Sequence, residues 1–280
     1  MSISQGVFDG GEGAPPAKSA AVIEEELGAA RRRRMLLIAQ IGVGIGILAF
    51  WQIASGWLID GFFISSPDAV AAQLWRWFSS GSIWGNLYQT LYAMVFGFAI
   101  GAFIGFCLGL LFGRSETIAT IFDPYVTALY CIPKIALAPL FIMWFGIGIE
   151  SKIAMSATVV FFLVFLNTYS GVRDVNRVFI NAARIMGANE WQLMRIVITP
   201  SAAAWVLAGL KVSVPYALIG VVVGEFMSSN RGIGYLIAQA SGLYNTAGVF
   251  AGLVILSVIG ATMSAGVKRL ERHVLRWRGT

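Results

Sequence analysis

Apolar residues run along this chain in long stretches separated by short polar segments, and the stretch lengths set the elements. A helix that crosses a bilayer needs roughly 20 mostly apolar residues, because each rises about 1.5 Å through a hydrocarbon core near 30 Å thick. Positions 35–59, 77–113, 153–172 and 232–267 carry no Asp, Glu, Lys or Arg. Positions 118–149 are interrupted only by Asp123 and Lys134, and 202–226 only by Lys211 and Glu225. The pattern predicts an all-α polytopic membrane protein with six transmembrane helices, near 36–58, 87–112, 119–143, 152–171, 203–226 and 247–267. The membrane domain spans 35–268. Residues 1–34, rich in Gly, Ala, Pro, Ser and Glu, read as a disordered tail, and 269–280 as a short basic one.

Two features lie outside this simple frame. Ser66-Pro67-Asp68 resembles a helix start, with a cap, a first-turn proline and an acidic residue. Val70, Leu74, Trp77 and Phe78 then share a face, which suits a helix in the membrane interface or a surface for an external partner. In the second span Gly97, Gly101, Gly105, Gly109 and Gly113 recur every four residues, leaving one ridge bare for close helix packing. The spacing leaves open whether the neighbour is in the same chain or a second copy.

Composition narrows the class. Of the 280 residues 58% are hydrophobic and 12% are charged, against about 25% charged in a typical soluble domain. That excludes a soluble enzyme, a nucleic-acid binder and a secreted disulfide scaffold. The cysteines, Cys107 and Cys131, sit in apolar stretches and read as small buried side chains. With His273 the only histidine, no metal site is indicated. No GxxxxGK[ST] loop is present, so ATP binding by that motif is not expected, nor is any cofactor. Six spans put both termini on one side. That side would hold Lys18, Arg31–Arg34, Arg114, Arg173, Arg177, Arg184, Arg195, Lys268, Arg269, Arg272, Arg276 and Arg278. The other would hold Arg76, Lys152 and Arg231. The positive-inside rule places both termini in the cytoplasm.

The longest cytoplasmic loop, 173–200, reads as helix, glycine break, helix. Asn176 caps the first helix, Gly187 ends it in the left-handed conformation, Asn189 caps the second and Pro200 marks the next boundary. Val178, Ala182, Ile185 and Met186 share a face, with Ala182 and Ala183 keeping the surface low. Such a helix suits a groove on another protein, or packs on its own membrane domain.

Asn181-Ala182-Ala183-Arg184-Ile185-Met186-Gly187-Ala188, followed by Val197-Ile198-Thr199-Pro200, resembles the EAA coupling loop of ABC importer permeases. The family pattern is Glu-Ala-Ala, three residues, Gly, then nine residues to Ile-x-Leu-Pro. The Ala-Ala-x3-Gly spacing matches; Asn181 stands in the Glu place, Val197 in the Ile place and Thr199 in the Leu place. Leu111-Phe-Gly-Arg-Ser115, Ile132-Pro-Lys-Ile-Ala-Leu-Ala-Pro-Leu140, Trp144-Phe-Gly-Ile-Gly148, Leu166-Asn-Thr-Tyr-Ser-Gly-Val-Arg173, Gly232-Ile-Gly234 and Leu270-Glu-Arg272 are similar to the nitrate/sulfonate/taurine/bicarbonate branch, in order from about 84 to 278.

The resemblance implies a type I ABC importer permease fold in a bacterial plasma (inner) membrane. It implies two copies of the chain around a central path, two cytoplasmic ABC ATPase subunits and an external binding protein, periplasmic or lipid-anchored. It assigns ATPase coupling to Asn181, Ala182, Ala183, Arg184, Met186, Gly187 and Ala188. ATP hydrolysis would belong to the partners, and the solute would be small and anionic, of sulfonate, nitrate, bicarbonate or organic-acid type. The alternative is a self-contained, ion-gradient-driven secondary transporter, which usually shows paired structural repeats; no inverted halves are evident.

Polar residues within spans mark candidates for the translocation path, because an ionisable group at the bilayer centre costs roughly 2.5–3.5 kcal/mol on insertion scales. Lys134 either faces the cavity and attracts an anion, or snorkels, or pairs with Asp123 or Glu225. Glu225 reads as a gating or packing residue. Asn167, Ser213 and Tyr216 are further candidates. The outer loop 227–241, helical after Gly234, either faces the delivery protein or is a connector.

Overall fold

A computed structural model describes residues 20–227 and 229–276. It divides into two units, 1–58 and 59–280. In the first unit the described part is one helix, α1 (Ala20–Trp57). It starts well before Met35, so residues 20–34, expected to be disordered, are helical. In the run Ala-Ala-Val-Ile-Glu-Glu-Glu-Leu the Ala, Glu and Leu residues are good helix formers, and the run carries the helix into the arginine block. Residues 1–19 of the expected tail lie outside the described residues. At the far end Ser55 and Gly56 leave helical geometry, Gly56 with φ +95°.

The second unit is helical throughout its described elements. A short turn α2 (Gly61–Ile64) and the amphipathic α3 (Pro67–Ser79) precede the long α4 (Ser82–Arg114). Then come α5 (Glu116–Cys131), a 3-10 turn over Lys134–Leu137, and α6 (Ala138–Phe145). The long α7 (Ile149–Arg173) leads to α8 (Arg177–Ile185), α9 (Glu190–Gln192), a π-turn over Leu193–Ile198, and α10 (Thr199–Met227). The unit closes with α11 (Ile233–Gly242) and α12 (Thr246–Val274), so α12 runs through part of the expected C-terminal tail. On α3, Val70 is buried and Leu74 and Trp77 join the main core.

Among the described residues, five helices are long and apolar enough to cross a membrane, and the bent pair α5–α6 makes a sixth span if counted as one. The break in that pair is local chemistry. Pro133 disfavours helical geometry at the preceding residue, and Ile132 is extended with ψ 127°. The two halves meet at 82°. At Pro200 the expected boundary does not form, and 190–227 run as one long apolar segment. Proline lacks an N–H and its ring crowds the carbonyl four residues back. The π-turn just before it widens the backbone and absorbs that conflict.

The core is built around α7, which lies between α4 and α10. The glycine ridge of α4 settles its own neighbour. A Cβ at Gly97 would lie 2.5 Å from Ser156 Cβ, at Gly105 2.7 Å from the Phe161 carbonyl oxygen, and at Gly109 2.6 Å from Thr168 Cβ. At Gly101 it would run into the Ala157 carbonyl. The ridge is therefore consumed by α7 of the same chain. Cys107 and Cys131, expected to be buried, are exposed.

Candidate functional site

Three places carry the candidate residues: the elbow between α7 and α10, a cavity beside the α5–α6 break, and a buried polar cluster under residues 232–234.

The elbow forms from local signals. Asn176 Oδ1 accepts from the Val178 N–H at 2.9 Å and caps α8. Gly187 has φ +83°, a conformation costing other L-residues roughly 1–2 kcal/mol. The Ala188 N–H reaches back to the Ala183 carbonyl at 3.0 Å and the Gly187 N–H to that of Arg184 at 2.9 Å, closing the helix end. Asn189 and Gln192 then exchange reciprocal 2.8 Å bonds in a capping box that starts α9. α8 rests on its own membrane domain through Ile180 and Ala183, packed on Val172, Val175, Leu193, Ile198 and Ala202. Its other side is open: Val178, Phe179, Ile185 and Met186 are 66%, 61%, 88% and 79% exposed. Ala182 and Ala183 are half-buried; Asn181, Arg184 and Gly187 are exposed.

Charge ties this elbow to the end of α4. Glu190 pairs with Arg114 and, at 3.3 Å, with Arg184. Asn181 offers no carboxylate, and the carboxylate that meets Arg184 comes from Glu190 instead. Sequence spacing did not single out Glu190 for this, because its partner Arg114 lies on another helix.

The cavity has a volume of about 470 Å³. Of the five path candidates it gathers Lys134 and Tyr216, with Tyr130 and Phe162 as further rings and Ile135, Met155 and Ile219 between them. The Lys134 ammonium donates to the carbonyls of Leu129, Tyr130 and Ile132 at 2.8, 2.7 and 2.8 Å. It also lies 4.4 Å from the Phe162 ring centre. The proline break leaves the last α5 carbonyls without helix partners, and the lysine caps them. Pairing of Lys134 with Asp123 or Glu225 is not what the structure shows.

The other path candidates lie elsewhere. Asn167 donates to the Leu163 carbonyl of its own helix at 2.8 Å, and its Cβ would meet any side chain at Gly209. Ser213 is buried and donates to Leu210 at 2.9 Å. Glu225 is 1% exposed. Its carboxylate accepts the Thr90 hydroxyl at 2.7 Å and the Gly234 N–H at 2.7 Å. Thr90 Oγ1 accepts the Ile233 N–H at 2.8 Å, and Asn86 Oδ1 accepts the Gly232 N–H at 2.8 Å. Residues 232–234 are thereby stitched to α4 and α10. Glycine is required at 232, where φ is +126° and a Cβ would strike the Glu225 carboxylate. Lys152, counted by sequence as an outer loop residue, is 1% exposed and interacts electrostatically with Glu225. Lys211 pairs with Glu271 on α12 at 2.8 Å. Among the described residues no group of three or more His, Cys, Asp or Glu side chains could hold a metal.

The fold is a helical membrane domain whose elbow between α7 and α10 exposes an apolar face. Residues 97–276 match the family model "Binding-protein-dependent transport system inner membrane component", and the chain belongs to that family. It is 36% identical over 237 residues to the riboflavin transport system permease protein RibX of Chloroflexus aurantiacus, covering 84% of this chain and 88% of that one. It is 33% identical over 235 residues to the putative aliphatic sulfonates transport permease protein SsuC of Bacillus subtilis, covering 84% and 85%. The fold matches inward-facing MetNI methionine ABC transporter structures, with TM-score 0.62 at 19% identity, over 69% of this chain and 98% of the matched one. The chain is thus an ABC importer permease with the type I permease fold.

Proposed function

We propose that this chain works as a homodimer in a bacterial inner membrane, with both termini cytoplasmic. Two ABC ATPase subunits would receive its elbows, and an external binding protein would deliver a small organic anion of sulfonate or organic-acid type. The observation that carries the coupling role is the elbow: α8 is anchored on one side and presents Val178, Phe179, Ile185 and Met186 on the other. That is the form of a helix that enters a groove on a partner. Asn181, Ala182, Ala183, Arg184, Met186, Gly187 and Ala188 form the contact segment and its hinge. ATP binding and hydrolysis would bias alternating access, because nucleotide binds one arrangement of the ATPase pair better than the other.

Reconstitution tests this. The chain alone in liposomes is expected to hydrolyse no ATP. Hydrolysis is expected with the ATPase encoded beside it, rising when the loaded binding protein is supplied outside. Solute uptake driven by an ion gradient without any ATPase would overturn the reading.

A further inference from the structure

We infer that the cavity beside the α5–α6 break takes the aromatic ring of its solute and that Lys134 shapes this site without bonding to the solute's anionic group. This rests on the importer reading above and specifies the substrate class.

The first ground is where the cavity lies. Non-helical backbone at membrane depth is tolerated only inside protein or along a cavity, and a lysine there faces the same restriction. The break at Ile132–Leu137 with Lys134 in it therefore belongs against protein or a cavity rather than lipid, and the cavity it borders is the one lined by Tyr130, Phe162 and Tyr216. The second ground is how Lys134 is used. An ammonium has three protons, and three carbonyls at 2.7–2.8 Å take them. A small oxoanion bound here would have to displace a helix cap. The third ground is the lining. Three rings, Tyr130, Phe162 and Tyr216, border the space, and the Tyr130 and Phe162 ring centres stand 6.2 Å apart. A volume of about 470 Å³ falls in the range of pockets that enclose organic ligands and far exceeds what a bare oxoanion fills. A ring packs against these faces by offset or edge contact, with its charged group outside the ring-lined part of the cavity.

The test uses the full chain in lipid nanodiscs, with saturation-transfer NMR titrations of benzenesulfonate, ethanesulfonate and benzamide. These represent an aromatic anion, an aliphatic anion and a neutral aromatic. Benzenesulfonate and benzamide are expected to bind saturably, and ethanesulfonate about tenfold more weakly or not at all. Phe162→Leu and Tyr216→Leu should each weaken the aromatic ligands about three- to tenfold. Tyr216 is 45% exposed, so its variant keeps the test open should Phe162→Leu misfold. Lys134→Met should weaken benzenesulfonate only a few-fold more than benzamide, through the lost charge, and abolish the binding of neither.

Three results would overturn the inference. One is ethanesulfonate binding as tightly as benzenesulfonate. Another is aromatic binding absent, or unmoved by both ring variants. The third is Lys134→Met abolishing benzenesulfonate binding while sparing benzamide, which would make the lysine an anion ligand. None of these readouts needs the ATPase, so failure of coupling would sink the importer reading and leave this result standing.

Discussion

Glu225 offers the sharpest test of how residues 232–234 are held. Glu225→Gln keeps the volume and removes one acceptor. The carboxylate now accepts both the Thr90 hydroxyl and the Gly234 N–H. An amide has one carbonyl oxygen, and its NH2 cannot accept. Thr90 already accepts from Ile233, so either its proton or the Gly234 N–H is left without a partner. A buried orphan of that kind costs about 1–3 kcal/mol. Glu225→Ala removes both acceptors, so the Thr90 hydroxyl and the Gly234 N–H both lose their partner. Two buried orphans cost about 2–6 kcal/mol together. Because about 1.4 kcal/mol is tenfold in an equilibrium, amide hydrogen exchange at 233–234 should rise by about 5-fold or more in Glu225→Gln. It should rise by about 30-fold or more in Glu225→Ala. The amides of α8, in the elbow between α7 and α10, should keep their wild-type rates. The assay is hydrogen–deuterium exchange read by mass spectrometry in nanodiscs. Unchanged protection of 233–234 in both variants would refute the idea that Glu225 holds this segment.

Gly101→Ala should destabilise the fold by about 1–3 kcal/mol, because the new methyl meets the Ala157 backbone, which cannot swing aside. Gly85→Ala, with open space at its Cβ, should be neutral or stabilising; equal thermal stability of the two would contradict the assigned α4–α7 contact. Gly187→Pro, incompatible with φ +83°, and Ile185→Asp, on the exposed face, should abolish ATPase co-purification while membrane insertion persists. Normal ATPase capture in both would remove the elbow from the coupling role. Lys211→Glu should cost about 1 kcal/mol or less, since its pair with Glu271 is part-exposed. Adding Glu271→Lys should restore thermal stability, and no restoration would mean the pair contributes nothing.

Features encoded within a few neighbouring residues were legible in the sequence. Span lengths follow from apolar stretches, because hydrocarbon thickness sets the helix length. The elbow's Asn176, Gly187 and Asn189 took their expected places, because caps and left-handed turns depend on adjacent backbone groups. Lys134 was recognisable as unusual for the same reason. Only the tertiary structure decided what each helix face meets. It turned the glycine ridge of α4 onto α7 of the same chain. It brought Lys134 and Tyr216 to one cavity and sent Asn167, Ser213 and Glu225 elsewhere. It buried Lys152, which charge counting had left in an outer loop. It also joined Glu190 to Arg114 across 76 positions. A helix shows its period in sequence, but its rotation about its own axis is set by the neighbours it packs against, and those lie far away along the chain.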